Sequence, residues 1–235
     1  MPECHIVAFF KVKSMIIKNL SVKRGKHTIL KNINLEIKKQ DSIIGIFGPN
    51  GAGKTTLLSV LAGIINKYEG SIEGLNKENF SFLPDKPYIY KDLKLKNVLS
   101  YFDGEYSSFN VQKARRLLKD LGLDENMRII DCSKGMLEQI HMIMSISREV
   151  DYYFFDEPLA AVDPLTRDRL MEIIENEKKP GSIVLISTHL ISDVEQLFTD
   201  VIMIKNGEII LYDSVKKLKE ESGEGLETLF KERLR

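Results

Sequence analysis

The sequence predicts an α/β fold: a buried, mainly parallel sheet with helices, an antiparallel β layer ahead of it, and a helical subdomain inserted into it. Three observations predict this. Ser42–Phe47 and Tyr152–Phe155 are apolar runs of strand length, the pattern of strands covered on both faces. Met15–Leu20 and Ile33–Ile37 instead alternate apolar and polar residues around Arg24-Gly25-Lys26, the pattern of an antiparallel pair with one wet face. Between the two solid runs, Tyr88 to Val150 loses its β-branched stretches, and charges fall between apolar positions at helical spacing.

Taken in order, residues 1–14 are expected to be an extension outside the fold core, with Met15 opening the first strand. The run Ser42–Phe47 ends at Gly48, and Lys54–Gly63 reads as a helix, so strand, glycine loop and helix follow one another. Helices are expected at Val111–Leu123 and Met136–Arg148. Strands return at Tyr152–Phe155, Ile183–Ser187 and Val201–Ile204, with a helix over Pro164–Glu177 between the first two. The charged tail after Ser214 is interrupted at Ser222-Gly223-Glu224-Gly225 and resumes as a short amphipathic stretch with Leu226, Leu229 and Phe230. The resulting organisation is an N-terminal extension (1–14), a core with its β layer (15–87 and 151–213), a helical subdomain (88–150) and a C-terminal helical tail (214–235).

Composition narrows the function. Hydrophobic residues make up 43% of the chain, enough for a buried core. Lys+Arg and Asp+Glu both number 34, so no basic excess favours a nucleic-acid backbone or an anionic lipid surface. Cys4 and Cys132 form no metal or redox motif, which fits a reducing cytoplasmic setting. The apolar runs are far shorter than the about 20 residues a membrane-spanning helix needs, so any membrane role is expected to be peripheral.

Gly48-Pro49-Asn50-Gly51-Ala52-Gly53-Lys54-Thr55, with Thr56 behind it, satisfies the phosphate-loop pattern. The glycines let backbone amides turn inward around phosphate oxygens at the positive end of a helix. Lys54 then pairs with the β and γ phosphates, and Thr55 with magnesium. Tyr152-Tyr153-Phe154-Phe155-Asp156-Glu157 is an apolar strand ending in two carboxylates, suited to hold the metal shell (Asp156) and to take a proton from water (Glu157). Between these motifs, Cys132-Ser133-Lys134-Gly135-Met136 begins a predicted helix that Ser133 is suited to cap, and a capped helix start is an anion site.

The order GPNGAGKT, SKGM, FFDEP, AVDP and STH resembles the ATP-binding cassette (ABC) ATPases, whose fold is a P-loop nucleotide-hydrolase core with a β layer and an inserted helical subdomain. The resemblance covers about Met15 to Asp213. It implies that ATP and Mg2+ bind between two copies stacked head to tail, the phosphate loop of one facing Ser133 and Gly135 of the other. Glu157 is then the general base, His189 holds the attacking water and the carboxylate in line, and Asp163 sits in the loop linking the two sites.

The sequence also departs from the pattern. Leu83-Pro84-Asp85 stands where the family usually has Leu-Pro-Gln; Asp85 is either a magnesium ligand or an ordinary turn residue, and when ionised it cannot donate a hydrogen bond. The neighbouring Lys86–Leu93 is expected to face a partner. Arg24 replaces a common adenine-stacking aromatic and has two readings, a stacking guanidinium or an exposed turn residue, with His27 close by.

Expected partners are a second ATP-binding subunit, identical or not, and separate transmembrane permease subunits that provide the only membrane contact, at the inner face of the plasma membrane. A soluble relative acting on nucleic acid or the ribosome would bring a coiled-coil insertion, a second cassette or a basic face, and a regulatory module without turnover would lack Glu157 or Lys54. Gly225–Leu234 resembles the tail of export ATPases, so export is expected over import.

Overall fold

The computed structural model describes residues 14–38, 41–160, 162–222 and 225–234. The expected N-terminal extension lies outside the described residues except for Ser14. In chain order, β1 (Met15–Arg24) and β2 (His27–Ile37) are followed by β3 (Ser42–Phe47), α1 (Lys54–Leu61), β4 (Glu69–Glu73) and β5 (Phe80–Leu83). Next come α2 (Leu95–Glu105), α3 (Val111–Asp120) and α4 (Lys134–Ile146), then β6 (Tyr152–Asp156), α5 (Pro164–Glu177) and β7 (Ile183–Ser187). The one-turn α6 (Ile191–Val194), β8 (Asp200–Lys205), β9 (Glu208–Ser214), α7 (Val215–Ser222) and α8 (Leu226–Leu234) complete the described chain.

Two sheets result. The small one is antiparallel, in the order β2-β1-β4, and the large one runs β5-β6-β7-β3-β8-β9, parallel from β5 to β8 with β9 antiparallel at its edge. Strand alternation sorts the central residues onto two cores. Phe47, Tyr153, Phe155, Val184, Ile186, Val201 and Met203 face α2 to α5 and the tail helices. Ile44, Ile46, Tyr152, Phe154, Leu185 and Ile202 face α1 and the small sheet. Because both faces are covered, every residue of β3, β6 and β7 is buried, which is why these strands read as solid apolar runs.

Several boundaries differ from the sequence reading, each for a local reason. Strand β1 runs on to Arg24 because a bulge at Asn19, with φ 50°, resets the alternation between Ile17 and Leu20. Helix α1 stops at Leu61, short of Gly63, which adopts φ 68°, and α3 stops at Asp120, before Gly122 at φ 70°. Helix α4 starts at Lys134 behind the expected cap at Ser133, two residues ahead of its apolar period at Met136, and ends at Ile146, two residues short of Arg148. Strands β4, β5 and β9 and helix α2 were not individually predicted; β4 is mostly exposed and β5 has only four residues, so neither carries a strong hydrophobic period.

Candidate functional site

The site forms where β3, β6 and β7 end side by side. The phosphate loop leaves β3 after Phe47 with its backbone pressed against β8: a Cβ on Gly48 would meet the Ile204 carbonyl oxygen at 2.2 Å, so only glycine fits. Gly53 adopts φ 113° as the first residue before α1, and no side chain caps that helix, leaving its amino end to the loop. Lys54 is 7% exposed and folds back, its ammonium donating to the Gly48 carbonyl at 2.8 Å.

Asp156 ends β6 at 2% exposure, and its Oδ1 accepts from the Thr55 hydroxyl at 3.1 Å and from the Ser187 hydroxyl at 2.5 Å. Burial pushes the Asp156 carboxyl up; the two hydrogen bonds oppose this, while the charges of Asp85 and Glu157 add to it. Thr55 and Asp156 present the hard oxygen donors that magnesium takes, so they fit that ion. Among the described residues no group of three or more acid, His or Cys side chains is placed to hold a metal ion.

Glu157 adopts φ 51°, a left-handed conformation rare for glutamate. Its amide donates to the carbonyl of Ser187 at 3.1 Å and to that residue's hydroxyl at 3.0 Å, and its Oε2 stands 2.9 Å from His189 Nδ1. Ser187 therefore touches both carboxylate residues, a role the sequence reading missed although Ser187-Thr188-His189 contained the signal.

Arg24, Asp85 and Glu157 line, together with Asn50–Thr56, one cavity of about 400 Å³. Ile29 lines it too and was not singled out from the sequence. Ser133 and Gly135 stand outside this cavity. Ser133 caps α4, accepting from the Met136 amide at 3.2 Å. Asp163 caps α5, accepting from the Thr166 amide at 3.1 Å and hydroxyl at 2.7 Å, and these bonds hold its carboxyl below the usual range. The Thr166 hydroxyl also lies beside Gly135, 3.7 Å from where a Cβ would stand, so the starts of α4 and α5 are adjacent.

A phosphate loop at the end of a central parallel strand, with an acid-ended strand two places along the sheet, defines an α/β nucleotide-binding protein. The ABC transporter family profile matches residues 30–160, more than half of the chain, and the chain belongs to that family as an ATP-binding subunit. It is 28% identical over 223 residues to the ABC-type transporter ATP-binding protein EcsA of Bacillus subtilis, covering 88% of this chain and 90% of that protein. The lantibiotic transport ATP-binding protein SrtF of Streptococcus pyogenes is 32% identical over 220 residues, covering 87% and 93%. A solved structure described as the ATP-binding subunit of an ABC transporter superposes with a TM-score of 0.83 at 23% identity, covering 94% of this chain and 99% of that one, which shows the shared fold. No helix among the described residues is long and apolar enough to cross a membrane.

Proposed function

We propose that the chain hydrolyses ATP at the interface of a head-to-tail dimer and drives export through separate transmembrane subunits, from the cytoplasmic face of the plasma membrane. The observation that carries this reading is the 2.9 Å contact between His189 and Glu157, two residues from different strand ends, of which Glu157 lines the phosphate-loop cavity. A carboxylate so placed accepts a proton from water, and the imidazole fixes its direction and faces the γ phosphate.

In this reading the backbone N–H groups from Asn50 to Thr56 cradle the phosphates, and Lys54 leaves the Gly48 carbonyl for the β and γ oxygens. Arg24 and Ile29 take the adenine end. Thr55, Asp156 and Asp85 would hold magnesium, which neutralises phosphate charge when bound. Ser133 and Gly135, outside their own subunit's cavity, complete the site of a second copy, and Asp163 couples the two sites. Residues 15–87 and 151–213 act as the catalytic core and 88–150 as the helical subdomain. The permease docks on a cleft between them of about 380 Å³, lined by Phe82, Tyr88, Phe102 and Arg148, with Tyr101 and Tyr90 exposed nearby.

Glu157→Gln keeps the shape and removes the base. Hydrolysis is expected to fall about a hundredfold or more, while the variant accumulates as an ATP-bound dimer on gel filtration. Wild-type turnover by Glu157→Gln, or turnover per subunit independent of protein concentration, would overturn the assignment.

A further inference from the structure

The segment that carries His189 is anchored on its inner side by Val194, 0% exposed, and by the Thr188 amide on the Ile46 carbonyl at 3.3 Å, while its outer side is open. The histidine side chain is 54% exposed, and the helix after it, α6, is a single turn, too short to persist without packing. Helix α8 makes contacts at three points, two on this segment and one on β3. The Glu227 carboxylate accepts a hydrogen bond from the Ser192 hydroxyl. Glu195, just past α6, accepts the Leu226 amide on Oε2 at 3.2 Å and the Lys219 ammonium on Oε1 at 2.9 Å. One carboxylate thus satisfies the amino end of α8 and ties α7 to the same segment.

The third point is apolar. Phe230, 1% exposed, packs edge-on against Phe47 at 4.7 Å, and Phe47 packs in turn against Phe198 at 5.3 Å. Phe47 is the last residue of β3, directly before Gly48 of the phosphate loop. Glu227 also shares a cavity of about 210 Å³ with His189 and Ser192. One helix therefore touches both the root of the phosphate loop and the segment behind the histidine.

We propose that α8 is a positioning clamp for the Glu157–His189 pair: Glu227 acting through Ser192, and Phe230 acting through Phe47, hold the histidine segment and the phosphate loop in a fixed relation. The clamp rests on the reading of Glu157 as base and His189 as its partner, and neither Glu227 nor Phe230 lines the phosphate-loop cavity. Loss of the clamp leaves the phosphate cradle intact but lets the imidazole drift from the carboxylate, which lowers turnover more than ATP affinity.

The test uses the full chain with Glu227→Ala, Glu227→Gln, Phe230→Ala and Phe230→Leu, measuring kcat, KM and equilibrium ATP affinity. The two alanine variants are expected to lose about tenfold in kcat with ATP affinity changed less than about threefold. Glu227→Gln still accepts from Ser192, and Phe230→Leu still fills the apolar site, so both are expected to recover most of the loss. Should Phe230→Ala fail to fold, Glu227→Ala carries the test, since its side chain is 45% exposed. The His189 ring signals in NMR, assigned with His189→Ala among the four histidines, give a readout independent of turnover. They are expected to shift in Glu227→Ala and to return in Glu227→Gln. Unchanged ring signals, an unchanged kcat, or a parallel loss of affinity and turnover without rescue by glutamine each overturns the clamp. If Glu157→Gln and His189→Ala themselves turn over like wild type, the underlying reading fails; if they are inactive and the α8 variants are not, the clamp alone fails.

Discussion

His141 lies on α4 at 1% exposure, its ring stacked on Tyr88 at 4.8 Å and 21°. Its Nε2 has no hydrogen-bond partner among the described residues, and burial pushes its pKa down to about 4. The ring is therefore neutral in the fold while the unfolded chain titrates near 6.5, so between those values the unfolded state binds the extra proton. Stability from this residue is complete above pH 6.5 and is lost as pH falls to about 4, by on the order of 3 kcal/mol. His141→Leu should remove that slope: urea midpoints at pH 7, 6, 5 and 4 are expected to fall less in the variant than in wild type. Parallel curves would mean that the imidazole charges freely in the folded protein. None of this was legible in the sequence, where His141 is one polar residue in a helical pattern and its burial depends on Tyr88 from a distant loop. The gathering of Lys54, Asp156 and Glu157 at one end of the sheet was legible because their motifs tie them to fixed neighbours along the chain. Ser187 was half legible: its motif was visible, but its bond to Asp156 requires β6 and β7 to be adjacent.

At the scale of the element, the start of α4 separates a structural role from a chemical one. Ser133 caps the helix, and aspartate caps as well as serine does. If capping were its whole task, Ser133→Asp would be harmless and Ser133→Ala would cost about 1 kcal/mol. If the hydroxyl faces the γ phosphate of a second subunit's ATP, aspartate places a negative charge against it. Ser133→Asp is therefore expected to keep the wild-type melting temperature and lose hydrolysis about a hundredfold, while Ser133→Ala loses less activity and more stability. Calorimetry and a turnover assay on both variants decide the matter; an active Ser133→Asp variant reduces Ser133 to a cap. The sequence exposed this element because cap chemistry is local, and it exposed β3 and β7 to the residue because burial on both faces leaves an unbroken apolar run. It did not expose β9, the edge partner of β8, whose residues are half-buried rather than alternating cleanly. Nor did it show that α8 returns to Phe47: the apolar residues of the tail were visible, but what they pack on is a matter of tertiary structure.

At the scale of the whole molecule, the separation of Ser133 and Gly135 from their own subunit's phosphate-loop cavity makes a prediction about pairs of chains. A head-to-tail dimer has two sites, each built from the loop of one copy and the α4 start of the other, related by a two-fold axis. Lys54→Ala breaks the loop, and Gly135→Glu breaks the helix start; each homodimer of such variants has no complete site and is expected to be inactive. Mixing the two changes the count, because one site of the mixed dimer receives both defects and the other receives neither. With random pairing half the dimers are mixed, so equal parts of the two inactive proteins should recover about a quarter of wild-type turnover. A site built within one chain predicts the opposite, since every chain in the mixture is then defective and mixing restores nothing. Recovery should also depend on total protein concentration, falling on dilution as dimers separate, and a mixture that stays inactive at every concentration would place the functional Ser133 and Gly135 contact within a single subunit.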